Sequence, residues 1–142
     1  VRASSRMTEE QSALPGGTTV LVVDDKRVNL QLALSQLGGS GYRVATALTM
    51  RDALYILRDT VPALIISDVC MAQESGYDFI KAVKAMPRMR AIPFVFLTST
   101  LTDESERRKG LALGAARFLF RPIEPQDLLR EIAASLVEAR GA

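Results

Sequence analysis

Five short apolar runs recur along this chain, and a segment with helical spacing follows each one. Val20-Leu21-Val22-Val23 closes on Asp24-Asp25, and Leu64-Ile65-Ile66-Ser67 closes on Asp68. Phe94-Val95-Phe96-Leu97 opens onto Thr98-Ser99-Thr100, and Phe118-Leu119-Phe120 ends at Arg121-Pro122. The remaining run, Tyr42 to Thr46, is mixed and carries Arg43, which suits an edge better than the middle of a sheet. Runs this short and this apolar predict strands buried on both faces.

Between the runs, Leu30, Ala33, Leu34 and Leu37 fall at i, i+3, i+4 and i+7 before Gly38-Gly39. Met50, Ala53, Leu54 and Leu57 repeat that spacing, and Pro62 marks the loop after them. A third helix is expected from about Tyr77 to Ala85, with Phe79, Ile80 and Val83 turned inward. Asp103 and Glu106 have the spacing of a capping box for a helix that runs to Gly114. Pro125 suits the first position of the last helix, whose expected buried stripe is Leu129, Ile132, Ala133 and Leu136. The pattern is strand then helix, five times over. Right-handed crossovers make this an α/β fold, a five-stranded parallel sheet wound on both faces. A unit of this size favours the flavodoxin-like strand order 2-1-3-4-5.

The 142 residues suffice for one domain. Residues 1 to about 17 mix Arg, Ser, Glu and Gln and finish in Pro15-Gly16-Gly17, which reads as a disordered leader before a domain over 18–142. The net charge of +2 is small and its positive residues are interspersed with acidic ones, so neither nucleic acid nor a membrane surface is an expected partner. No apolar run is long enough to span a bilayer, and no signal-peptide core opens the sequence, so the expected location is the cytoplasm. Cys70 is the single cysteine, which excludes an intrachain disulfide. Histidine is absent altogether, which removes Ser-His and Cys-His nucleophiles, imidazole metal sites and any phosphohistidine of the chain's own. Chemistry here must run on carboxylates, hydroxyls and cations.

Open α/β sheets bind ligands just outside the carboxyl ends of their strands. The ends of the first, third, fourth and fifth strands carry Asp24 and Asp25, Asp68, Thr98 and Arg121. Singly, each has a plainer reading: Asp25 as a helix N-cap, Asp68 as a turn residue, Thr98 as a local backbone partner, Arg121 as a surface charge. Together they place three carboxylates, a hydroxyl and a guanidinium in one crevice. Crowded carboxylates repel, and a bound cation relieves them. Oxygen-only ligands suit Mg²⁺, and a carboxylate beside Mg²⁺ with a hydroxyl and a cation opposite has what phosphoryl transfer to an aspartate requires.

The combination of Val22-Val23-Asp24-Asp25, Asp68-Val69-Cys70-Met71 with Gly76 eight positions on, Leu97-Thr98 and Arg121-Pro122 resembles the receiver domain of two-component response regulators, over about residues 19 to 140. The resemblance implies that Asp68 is the phosphoacceptor and that Asp24, Asp25, Asp68 and the backbone carbonyl of Cys70 hold Mg²⁺. It implies that Thr98 hydrogen-bonds the phosphoryl group and that Phe118 is the switching aromatic. The implied donor is a phosphohistidine on a sensor histidine kinase or a histidine phosphotransfer protein, and the implied recipient of the signal is an output domain or target protein. Such a chain is a switch and not an enzyme beyond its own phosphorylation and dephosphorylation. Two residues depart from the pattern. Ala72 stands where the family has proline, which is expected to loosen the loop and little else, and Arg121 stands where it has lysine. Cys70 and Thr100 flank the site at positions that tune phosphoryl lifetime in the family. An alternative is a pseudo-receiver that binds a partner regardless of phosphate because Arg121 fills the site. Dimerisation through the fourth and fifth helices stays open, as does whether the chain stands alone or belongs to a longer protein. Lys26, two residues after Asp24, tells against a haloacid-dehalogenase-type phosphatase, which needs an acid there. The lack of a Gly-rich loop with Lys-Ser/Thr tells against a nucleotide hydrolase, and Asp24-Asp25 would repel a flavin phosphate.

Overall fold

The computed structural model describes residues 18–99 and 103–141, so the expected leader and Thr100 lie outside the described residues. The order is β1 (Thr19–Val23), α1 (Arg27–Gly38), β2 (Arg43–Ala47), α2 (Met50–Leu57) and β3 (Leu64–Ser67). A two-residue ladder of β4 (Cys70–Met71) and β5 (Glu74–Ser75) precedes α3 (Gly76–Lys84), β6 (Phe94–Thr98), α4 (Glu104–Ala112), β7 (Arg117–Phe120) and α5 (Pro125–Gly141). The main sheet runs β2-β1-β3-β6-β7 with every pair parallel, which is the expected 2-1-3-4-5 order of its five strands. Arg43 is on the edge strand, as its polarity predicted.

Each central strand is apolar throughout because both faces are covered. Along β1, Val20 and Val22 join Leu30, Leu37, Leu128 and Ile132 on the α1/α5 face. Leu21 and Val23 join Ala53, Leu57, Phe79, Ile80 and Val83 on the α2/α3/α4 face. The period-2 alternation of a strand thus feeds two separate cores from one run of valines and leucines. Aromatic rings stiffen the second core: Phe94 meets Phe79 at 5.6 Å and Phe96 at 5.0 Å, and Phe96 meets Tyr77 and Phe118 at 5.5 Å, all inclined.

Three details differ from the sequence reading. The buried stripe of α5 is Leu128, Ile132, Ser135 and Leu136, with Ala133 exposed and Leu129 only partly covered. Ser135 is tolerated inside because its hydroxyl donates to the Glu131 carbonyl at 2.8 Å, one turn back. The capping box is half made: Asp103 accepts from the Glu106 N–H at 3.0 Å, while the Glu106 carboxylate accepts from the Tyr77 hydroxyl at 3.0 Å. That bond ties α4 to α3, and burial followed by the Glu106 contact pushes the Tyr77 hydroxyl above its ordinary pKa. The third difference is the β4–β5 ladder, whose turn puts Gln73 at a φ of 60°.

Arg117 fastens β7 to α5 by ion pairs to Glu131 at 2.8 Å and Glu138 at 2.7 Å. On the opposite side, α4 lies so close to β7 that a Cβ on Gly110 would stand 2.8 Å from the Phe118 ring. Alanine there would gain about 0.5–1 kcal/mol of helix propensity, but crowding a packed aromatic costs about 1–3 kcal/mol. Crowding wins. Gly110→Ala is expected to lower the urea midpoint with an unchanged m-value, and Gly110→Ala with Phe118→Leu to recover part of the loss.

Candidate functional site

The register of the sheet brings its polar strand ends level. Val23 pairs with Ser67 and Ser67 with Phe96, so Asp24 and Asp68 leave adjacent strands side by side. Their backbones extend the ladder, Asp24 N–H donating to Ala47 O at 3.1 Å and Asp68 N–H to Val23 O at 3.1 Å. Thr98, fully buried, ends β6 opposite Phe120, and the Arg121 N–H donates to its carbonyl at 2.8 Å. One carboxylate oxygen from each of Asp24, Asp25 and Asp68 lies within 4.8 Å of the other two. The predicted acidic trio is therefore a single cluster, with Arg121 beside it.

Each carboxylate is held differently. Asp24, 1% exposed, accepts from the Lys26 N–H on Oδ1 at 2.9 Å and from the Asn29 amide on Oδ2 at 3.0 Å. Arg121 Nη1 lies 3.4 Å from that same Oδ2 and donates to the Leu97 carbonyl at 3.1 Å. Asp68 accepts on Oδ1 from the Val69 N–H at 2.7 Å and from the Cys70 N–H at 3.4 Å. Asp25 accepts from the Ala72 N–H on Oδ2 at 2.7 Å, while its Oδ1 is buried with no hydrogen-bond partner. Asp25 is therefore not the helix cap: Lys26 holds the cap position before Arg27 and makes no side-chain cap bond, and both acids turn into the cluster.

The donor set fits a hard divalent cation. All three side chains offer oxygen, and a buried carboxylate oxygen lacking a donor is an atom that a metal satisfies. Burial pushes the Asp24 carboxyl above its ordinary pKa; nearby Asp68 adds to the push, and the Lys26 N–H, Asn29 and Arg121 pull it back.

Ala72 does more than loosen its loop. It occupies the turn between β4 and β5, and its backbone N–H, which a proline lacks, anchors that turn to Asp25. Gly76 closes the same loop: its N–H donates to Val69 O at 2.7 Å, and a Cβ there would collide with the Asp68 carbonyl. Cys70 is exposed on β4, and Phe118 is buried between Phe96 and Gly110. Asn29 was not expected at the site, nor Glu74 as a tie between its loop and α2. Asn29 holds Asp24, and Glu74 Oε1 accepts from the Met50 N–H at 2.8 Å, joining the β5 strand to the start of α2. A polar residue between Val28 and Leu30, one turn into α1, was the available signal for Asn29.

Comparison with known proteins identifies the family. The family model described as response regulator receiver domain matches residues 20–133. The chain belongs to the response regulator receiver family. It is similar to the transcriptional regulatory protein GltR of Pseudomonas aeruginosa, 31% identical over 124 residues that cover 87% of this chain and 51% of that protein. It is also similar to the two-component response regulator ORR3 of Oryza sativa, 36% identical over 112 residues, covering 78% of this chain and 85% of that one. The receiver therefore spans about half the length of the first relative and most of the second. Among solved structures, the chemotaxis protein CheY4 of Vibrio cholerae superposes with a TM-score of 0.79 at 33% identity, covering 83% of this chain and 98% of that one. No helix among the described residues is long and apolar enough to cross a membrane.

The raised Asp24 carboxyl makes a stability prediction. An acid whose folded pKa exceeds its ordinary 3.8 costs the folded state when ionised. That cost is complete above the folded value and vanishes as the pH falls below 3.8. Asp24→Asn is therefore expected to melt higher than wild type at pH 7 without divalent cations, with the advantage shrinking steadily as melts are repeated toward pH 4. A variant that melts lower at pH 7 would contradict this electrostatic account.

Proposed function

We propose that this receiver is a phosphorylatable switch in which Asp68 accepts a phosphoryl group from a partner's phosphohistidine. The observation that carries the reading is the cluster itself: three carboxylates within 4.8 Å of one another at the strand ends, one with a buried oxygen lacking a hydrogen-bond partner. Asp24, Asp25 and Asp68, with the backbone carbonyl of Cys70, would hold Mg²⁺. Bound there, the ion supplies positive charge against the charge that develops on the transferring phosphoryl oxygens.

The chain's own residues do the rest. The Val69 and Cys70 N–H groups fix Asp68 through Oδ1. A carboxylate oxygen of Asp68 attacks phosphorus as the P–N bond to the partner's imidazole breaks, and the imidazole leaves and takes up a proton. In this reading the donor is a sensor histidine kinase or a histidine phosphotransfer protein, which supplies the histidine that these 142 residues lack. Thr98 hydrogen-bonds the new phosphoryl group from the end of β6, and Phe118, packed at an incline against Phe96 two residues before Thr98, follows that movement. The signal passes to an output domain or a separate target in the cytoplasm.

A pseudo-receiver is the second reading, and the 3.4 Å approach of Arg121 to Asp24 favours it, because a protein cation already stands among the acids. Acetyl phosphate with Mg²⁺, read by intact mass, separates the two. Wild type is expected to gain one phosphoryl group and Asp68→Ala none. No gain on wild type, under conditions that label a known receiver, would leave the pseudo-receiver. A gain retained in Asp68→Ala would refute the assignment of Asp68.

A further inference from the structure

We propose that Arg121 is an internal counter-ion for Asp24 that competes with the divalent cation, so that this one residue sets the metal affinity of the site. The inference rests on the reading of the acidic cluster as a metal site and adds what opposes metal entry. Asp24 has both oxygens engaged, Oδ1 by the Lys26 N–H and Oδ2 by Asn29 at 3.0 Å with Arg121 Nη1 at 3.4 Å. Neither of the first two donors carries charge at the contact; Arg121 does. A guanidinium is a cation that offers donors and no acceptor. That of Arg121 is also anchored, because Nη1 donates to the Leu97 carbonyl at 3.1 Å and the side chain is only 16% exposed.

A tethered cation is present at high effective concentration and never diffuses away. A metal ion that takes Oδ2 of Asp24 must first displace it, whereas the buried Oδ1 of Asp25 has no hydrogen-bond partner to give up. The two aspartates thus differ in what the ion must displace: beside Asp25 Oδ1 stands only the exposed Lys26 Nζ at 3.7 Å, and beside Asp24 the anchored Arg121. A phosphoryl dianion on Asp68 would offer the planar fork of Arg121 a bidentate partner and draw it off Asp24. By linkage, phosphorylation and metal binding then strengthen each other.

Mg²⁺ alone, titrated calorimetrically into the full chain with no phosphoryl donor, tests the latch. Arg121→Gln and Arg121→Met, the second keeping an unbranched stem should the first fold poorly, are expected to bind about tenfold tighter than wild type, the factor that a lost competitor worth about 1.4 kcal/mol returns. Arg27→Gln removes the same charge from an exposed position at the start of α1 and is expected to stay within about twofold of wild type. Equal or weaker binding by the Arg121 variants, or an equal gain in Arg27→Gln, would overturn the latch while leaving the phosphoacceptor reading intact. Binding by none of the four proteins would overturn both the latch and the metal site.

Discussion

Three carboxylates share one end of this sheet, and their mutual repulsion in a buried place is the constraint around which the surrounding loops are built. Ionised acids this close raise one another's free energy, and burial removes the water that would screen them. The structure answers with donors from every side: the Lys26, Val69, Cys70 and Ala72 backbone N–H groups, the Asn29 amide and the Arg121 guanidinium. Those donors come from the β1–α1 connection, the loop after β3, α1 itself and the end of β7. No one segment could supply them, so the cluster holds four parts of the chain in register.

What keeps that arrangement in place lies beneath it. The strands are apolar on both faces, and each face has its own core, so a slip of one residue would send each core's side chains into the other. Rigid strand ends convert the β pairing of Val23, Ser67 and Phe96 into fixed positions for the side chains that follow them. The loops add finer control. Gly76 admits the close return of the chain past Asp68, and the Ala72 N–H draws the β4–β5 turn onto Asp25. Phe96 links this end to Phe118 and to Tyr77, whose hydroxyl reaches Glu106 on α4. Contacts thus run from Phe96, near the strand ends, to α4 and β7.

Residues with a local reason for their place were legible early. The apolar runs ending at Val23, Ser67 and Leu97 announced buried strands, Arg43 announced an edge, and Asp103 announced the cap it makes to Glu106 at 3.0 Å. Misreadings arose where a distant partner decides. Ser135 is buried and Ala133 exposed because the helix is oriented by the sheet, not by its own hydrophobicity. Glu106 leaves the cap of its own helix for a tyrosine 29 residues away.

The sequence by itself determined the fold class and the identity of the acidic trio, because strand and helix periods are local properties and strand ends are where such runs stop. Only the tertiary structure decided how the three acids differ. Asp24 is paired with Arg121 and accepts from Asn29, Asp25 has a buried oxygen without a hydrogen-bond partner, and Asp68 is held by the loop that follows it. Their separation of roles depends on which partners cross from other strands, and a hydrogen bond across 47 positions to Asp25 and an ion pair across 97 positions to Asp24 carry no local signature.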